Sequence, residues 1–133
     1  MTFRDPRDVL KDYGIWTKKQ FGQNFLIDGQ VVERIVNVSG ALPNDVAYEI
    51  GAGCGTLTTM IAPKVQRLVS LEYDRNLIPV LEQELTGFNH VEIRSANVLD
   101  IDWQAESELA QQPLMLPKSV LVTSVSMDGL QSR

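Results

Sequence analysis

The sequence predicts an α/β fold, a parallel sheet with flanking helices, on three observations. Short apolar runs at 46–50, 67–72, 91–93 and 119–123 alternate with helix-like stretches along the 133 residues. The first run leads directly into Gly51-Ala52-Gly53-Cys54-Gly55. Glycines there permit positive φ and let backbone approach a ligand closely. The second run ends in an acidic residue, Glu72. Its carboxylate is suited to accept from both hydroxyls of a ribose, in the arrangement of a nucleotide-like ligand lying across parallel strand ends.

In chain order, Val9 to Tyr13 has the pattern of a short helix ended by Gly14. Residues 1–17 otherwise read as a solvated extension with a few anchoring side chains. Lys18 and Lys19 stand beside Gln20 and Phe21, a pairing suited to an RNA backbone and a base. Phe21 to Asp28 encloses the amides Gln23 and Asn24 between aromatic and aliphatic residues. Two readings stay open there: recognition of a small polar ligand, or a loop whose phenylalanines plug the core while Asn24 caps backbone. Asp28 is placed to cap a helix whose face carries Val31, Val32, Ile35 and Val36, closed by Gly40 and Pro43.

The strand at 46–50 follows. Beyond the glycines, Leu57, Met60 and Ile61 face the sheet from a helix that Pro63 ends. After the strand at 67–72, a helix is expected over 76–85, with Pro79 in its first turn and Gly87 as its stop. The third strand begins at Val91, and Asn97 is placed at its end, where an amide suits an adenine edge. A polar helix is expected over 103–112, with Trp103 packed on the sheet, before Pro113 and the fourth strand.

Composition narrows the function classes. An apolar fraction of 44% and a charged fraction of 22% suit a water-soluble globular domain. Twelve Lys and Arg against 17 acidic residues give a net charge of −5, so there is no global footprint for nucleic acid. Cys54 and His90 are the only residues of their kinds, too few for a Cys/His metal site, and each is expected to be buried or to line a loop. No apolar run reaches membrane-spanning length, and charges recur through Arg4, Asp5, Arg7 and Asp8, so a cytoplasmic, non-membrane protein is expected.

The glycine spacing by itself does not name a ligand. It is neither the Gly-x-Gly-x-x-Gly dinucleotide fingerprint nor a P-loop, and glycines can also make a bare strand-to-helix turn. Two blocks supply more. Lys18-Lys19-Gln20-Phe21-Gly22-Gln23-Asn24-Phe25-Leu26-Ile27-Asp28 resembles the N-terminal signature of the ribosomal RNA adenine dimethyltransferases, and Glu49-Ile50-Gly51-Ala52-Gly53-Cys54-Gly55-Thr56-Leu57-Thr58 resembles their cofactor loop. The resemblance covers residues 13 to 122. It implies a partial Rossmann-like, S-adenosylmethionine-dependent methyltransferase fold that acts on small-subunit ribosomal RNA or the pre-ribosomal small subunit, as a monomer.

Carried over by motif, the resemblance implies that Gln23, Asn24 and Leu26 line the cofactor pocket. It places Gly51, Gly53 and Gly55 beneath the methionine part, with Glu49 orienting that region. Glu72 takes the ribose hydroxyls and Tyr73 lies beside the adenine. Asn97 stands where the family has an Asp that accepts from the adenine amino group, and an amide oxygen there lacks the strengthening charge. The family's Asn-Leu-Pro-Tyr, which presents the target adenine after the fourth strand, is absent from these 133 residues. No catalytic side chain and no metal ligand is therefore assigned. The expected organisation is an N-terminal extension over 1–20, a truncated methyltransferase domain over 21–122 and an atypical tail over 123–133. The expected activity of such a chain is impaired methylation. A non-catalytic RNA-binding or assembly module is the rival from another class, and a nicotinamide-binding oxidoreductase fragment is a third reading.

Overall fold

The computed structural model describes residues 3–15, 28–111 and 120–124. Helix α1, Pro6–Asp12, begins where the Asp5 carboxylate accepts from the Arg7 N–H at 2.8 Å with Pro6 at the first turn, and it gives way to Gly14 at φ +69°. Helix α2, Gly29–Val38, is capped in the same way by Asp28, which accepts from the Gln30 N–H at 2.9 Å. Strand β1, Val46–Ile50, runs into the glycine loop, and the short helix α3, Thr58–Ile61, continues into a 3-10 turn at Ala62–Lys64. Strand β2 is Arg67–Glu72, helix α4 Ile78–Glu84 and strand β3 Val91–Ser95. A 3-10 turn at Val98–Asp100 precedes helix α5, Trp103–Gln111, and strand β4 is Val120–Ser124.

All strand pairs are parallel and the order is β3-β2-β1-β4. The register aligns Ala47 with Leu68 and Leu68 with Val91, so these three share a face. Val32 and Val36 from α2 and Leu57 and Ile61 from the glycine loop's exit pack on Ala47 and Leu68. Leu81 and Leu85 gather with Ala52, Val91 and Ile93 further along. The opposite face presents Val46, Tyr48, Val69 and Leu71 to Ile101 and Trp103. Trp103 meets the Tyr48 ring edge-on at 5.4 Å, as its placement against the sheet requires. Helices thus cover both faces, the condition that lets a parallel sheet carry apolar side chains on each side.

Two expectations change in detail, and the ending of a helix at Pro63 is met. The reading of residues 1–17 as solvated fails for α1: Val9 and Leu10 are buried with Cys54, Leu77 and Val80. A two-residue apolar pair was too short a signal to show which face would be covered. On α2 the apolar stripe is narrower than expected, because Val31 lies off the line through Val32 and Val36 and stays 40% exposed. The helix after the glycines is a single turn of α-helix, since Pro63 removes the N–H that would extend it and the chain tightens into 3-10 geometry.

Candidate cofactor site at the strand ends

The carboxyl ends of β1, β2 and β3 are tied together by backbone and one carboxylate. Gly51, Gly53 and Gly55 all have positive φ, at +77°, +62° and +91°, the left-handed region in which a Cβ meets the following carbonyl. The Gly51 and Ala52 N–H groups both donate to the Leu71 carbonyl, at 2.9 and 3.2 Å, which bends the loop over the end of β2. There the Glu72 side chain reaches back. Its Oε1 accepts from the Gly53 N–H at 2.7 Å and its Oε2 from the Asp74 N–H at 2.9 Å. The Glu72 carbonyl accepts from the Ala96 N–H at 3.1 Å, bringing in the end of β3.

Glu72 is 8% exposed, and burial raises its carboxyl above the ordinary carboxylate range against the bonds from Asp74 and Gly53 that pull it down. A carboxylate has about four lone-pair sites, so both oxygens keep accepting capacity beyond these two bonds. Beside it an open cavity of about 560 Å³ is lined by Glu72, Tyr73, Asp74 and Arg75. Tyr73 is 73% exposed, an aromatic ring standing free at a polar rim.

Glu49 lies on the other side of the loop's base. It is fully buried, and its Oε1 accepts from the hydroxyls of Thr58 and, at 3.3 Å, Ser70. Removal from water pushes it up to about 7, with Thr58 and Ser70 working the other way and Glu72 adding to the rise. Its carboxylate thus joins β1 to β2 and to the start of α3 underneath the glycines. Asn97 does not end β3; it caps the following 3-10 turn, its Oδ1 accepting from the Leu99 N–H at 2.9 Å. One lone pair and the amide N–H₂ remain for another partner.

Of the residues singled out in the sequence, Glu49, Gly51, Gly53, Gly55 and Glu72 are brought together, and Tyr73 adjoins them. Gln23, Asn24 and Leu26, together with Lys18, Lys19 and the tail from residue 125, lie outside the described residues. Sequence reasoning missed Thr58 and Ser70 as partners of Glu49. The threonines after the glycines carried the signal, because hydroxyls in a strand-to-helix turn serve a buried acceptor as readily as they lower helix propensity. Cys54 is buried in the loop with its Sγ 3.6 Å from the Thr56 hydroxyl, and burial pushes the thiol up to about 11. His90 immediately precedes β3, at the amino ends of the strands and opposite the glycine loop, its Nε2 2.6 Å from the Ala62 carbonyl.

A parallel sheet ordered β3-β2-β1-β4, a glycine turn after β1 and an acid at the end of β2 define a Rossmann-like fold, and the family match and solved relatives make it that of the S-adenosylmethionine-dependent methyltransferases. Within that class the comparisons are specific. The profile of the ribosomal RNA adenine dimethylase family matches residues 15–121, and the chain belongs to that family. A ribosomal RNA small subunit methyltransferase A from Thermotoga petrophila is 45% identical over 92 residues, 69% of this chain and 35% of the relative. The protein of the same name from Halothermothrix orenii is 37% identical over 97 residues, 73% of this chain and 32% of the relative. The chain therefore spans about a third of the length of the curated relatives it matches.

Among solved structures, the 23S rRNA methyltransferase ErmE superposes with a TM-score of 0.58 at 26% identity, over 74% of this chain and 36% of that one. A dimethyladenosine transferase from Plasmodium falciparum shares the fold, with a TM-score of 0.56 at 17% identity over 73% of this chain and 33% of that one.

Proposed function

We propose that this chain forms the methyl-donor half of an S-adenosylmethionine-dependent ribosomal RNA adenine-N6,N6-dimethyltransferase acting on small-subunit RNA in the cytoplasm, and that it is monomeric. The observation that carries the reading is the Glu72 carboxylate, bonded back to the N–H of Gly53 inside a loop of three positive-φ glycines. A carboxylate fixed in that way offers its outer lone pairs to two vicinal hydroxyls. The loop brings bare backbone against the neighbouring part of the same ligand. The open cavity beside Glu72 and the free Tyr73 ring fit an adenosine better than a compact anion. Gln23, Asn24 and Leu26 complete the proposed pocket by their place in the family motif, and Asn97 contributes an amide at the adenine edge.

The cofactor supplies a methyl group on a sulfonium sulfur. This chain's own residues hold and orient it: Glu72 fixes the ribose, Gly51, Gly53 and Gly55 shape the floor, and Glu49 keeps that floor attached to β2 and α3. Alignment of donor and acceptor then dominates the rate, and no side-chain nucleophile is needed. β4 lies directly beside β1, with Ser124 aligned to Ile50, so the carboxyl end of β4 adjoins the strand that leads into the donor loop. That is where an acceptor adenine, taken out of its stack, would be presented. The 133 residues carry no Asn-Leu-Pro-Tyr, and on its own this chain is proposed to bind the donor without efficient transfer.

Calorimetric titration with S-adenosylmethionine and, separately, with NAD tests the reading. Binding of the first only, weakened about tenfold or more by Glu72→Ala through loss of charge-assisted bonds, is expected. Binding of NAD alone would reverse the assignment, and RNA binding with neither cofactor bound would favour an assembly module. Labelled-methyl transfer to unmodified small-subunit RNA should stay at background; turnover approaching that of an intact enzyme would refute the donor-only reading.

A further inference from the structure

The N-terminal segment closes on the outer side of the glycine loop through one residue of α4. Glu84 is 14% exposed at its side chain, and both of its oxygens are engaged by that segment: Oε1 by the Arg4 guanidinium and Oε2 by the Tyr13 hydroxyl at 2.8 Å. Arg4 also pairs with Asp12 at 2.9 Å, so the clasp ties both ends of α1 to α4. The same glutamate adjoins the loop: a Cβ added at Gly55 would stand 3.8 Å from the Glu84 Cβ and 3.5 Å from Leu81. Two further contacts join the segment to the loop. Val9 and Leu10 pack with Cys54, and the Thr56 hydroxyl donates to the Arg4 carbonyl at 3.5 Å.

Between these contacts lies a cavity of about 350 Å³, lined by Arg4, Tyr13, Cys54, Thr56 and Glu84 among others. The outer side of the loop is therefore held by apolar packing at Cys54 and by the polar contacts at the cavity's rim. Burial, and then Glu84 itself, push the Tyr13 phenol up to about 12, so it remains a donor across the physiological range.

We propose that Glu84 is a positioning residue for cofactor binding: it holds the N-terminal segment against the glycine loop and so sets the loop's geometry without touching the ligand. The inference rests on the donor-binding reading given above. It is tested on the 133-residue chain by calorimetric titration with S-adenosylmethionine and by amide hydrogen exchange at Gly53 and Gly55. Glu84→Ala should weaken binding about tenfold and Tyr13→Phe about threefold, with Glu84→Gln between them, the scale of one or two hydrogen bonds involving a charged group. Glu82→Ala removes the same charge from the exposed side of α4 and should change nothing.

Exchange at Gly53 and Gly55 should quicken in Glu84→Ala while the sheet amides keep their protection. Unchanged affinity in a folded Glu84→Ala chain, or an equal loss in Glu82→Ala, overturns the proposal. If the unsubstituted chain does not bind S-adenosylmethionine, the functional reading falls and exchange alone decides the clasp, unchanged rates at Gly53 and Gly55 overturning it. Should Glu84→Ala fail to fold, Tyr13→Phe, which removes a single hydroxyl, is judged by the same two readouts.

Discussion

Glu49 keeps one carboxylate oxygen, Oε2, buried without a hydrogen-bond partner among the described residues, while Oε1 takes two hydroxyl bonds. An acid raised in this way from an ordinary 4.5 to about 7 contributes stability that is fully present below pH 4.5 and is lost as pH rises through about 7. Urea unfolding at a series of pH values should show that loss, on the order of a few kcal/mol, and Glu49→Gln should flatten it. Gly53, at φ +62°, gives a second prediction at this scale. Gly53→Ala should cost about 1–2 kcal/mol in the same measurement, the strain of a left-handed non-glycine residue. The sequence made the glycines and Glu72 legible because their chemistry is local, a backbone conformation and a strand terminus. It did not reveal Thr58, Ser70 or Glu84, whose partners lie 9 to 80 residues away along the chain.

Elements were legible where periodicity and caps agree. Asp28 with Val32 and Val36 marked α2, and Pro79 near its first turn marked α4. α1 was visible as a helix, but its burial was not, since only Val9 and Leu10 carry it. The docking of α5 was half-visible. Trp103 announced packing, whereas the polar latch beside it did not: the Tyr48 hydroxyl donates to Glu106 at 2.5 Å, and Glu106 pairs with Arg94 at 2.9 Å. Tyr48→Phe removes one end of this latch from a residue only 1% exposed and should cost about 1 kcal/mol, read as a lowered urea midpoint with unchanged slope. Leu81→Ala, in the fully buried centre of α4, should cost about 2–5 kcal/mol by the cavity it leaves.

For the whole molecule, opposing titrations set a pH of greatest stability. The Glu92 and Glu106 carboxyls are held below their ordinary range, chiefly by Arg94, with Arg67 assisting at Glu92. Their contribution is present above about pH 4.5 and is lost on acidification, whereas Glu49 withdraws its own as pH rises toward 7. Thermal midpoints should therefore peak near about pH 5 and fall on both sides. A peak that stays at neutral pH would show that Glu49 ionises freely in the fold. The α/β class was legible from alternation of periods, but the strand order was not, because periodicity reports which face a residue occupies and says nothing of which strand lies next to it.

That order has a consequence in time. β1 pairs with β2, which begins at Arg67, yet its other partner begins only at Val120, aligned with Val46. At a synthesis rate of ~5–20 residues per second, the central strand carries a bare edge for ~4–15 s after it is made. Through that interval the nascent sheet is a template for any extended chain nearby, and its safety rests on how quickly β4 arrives.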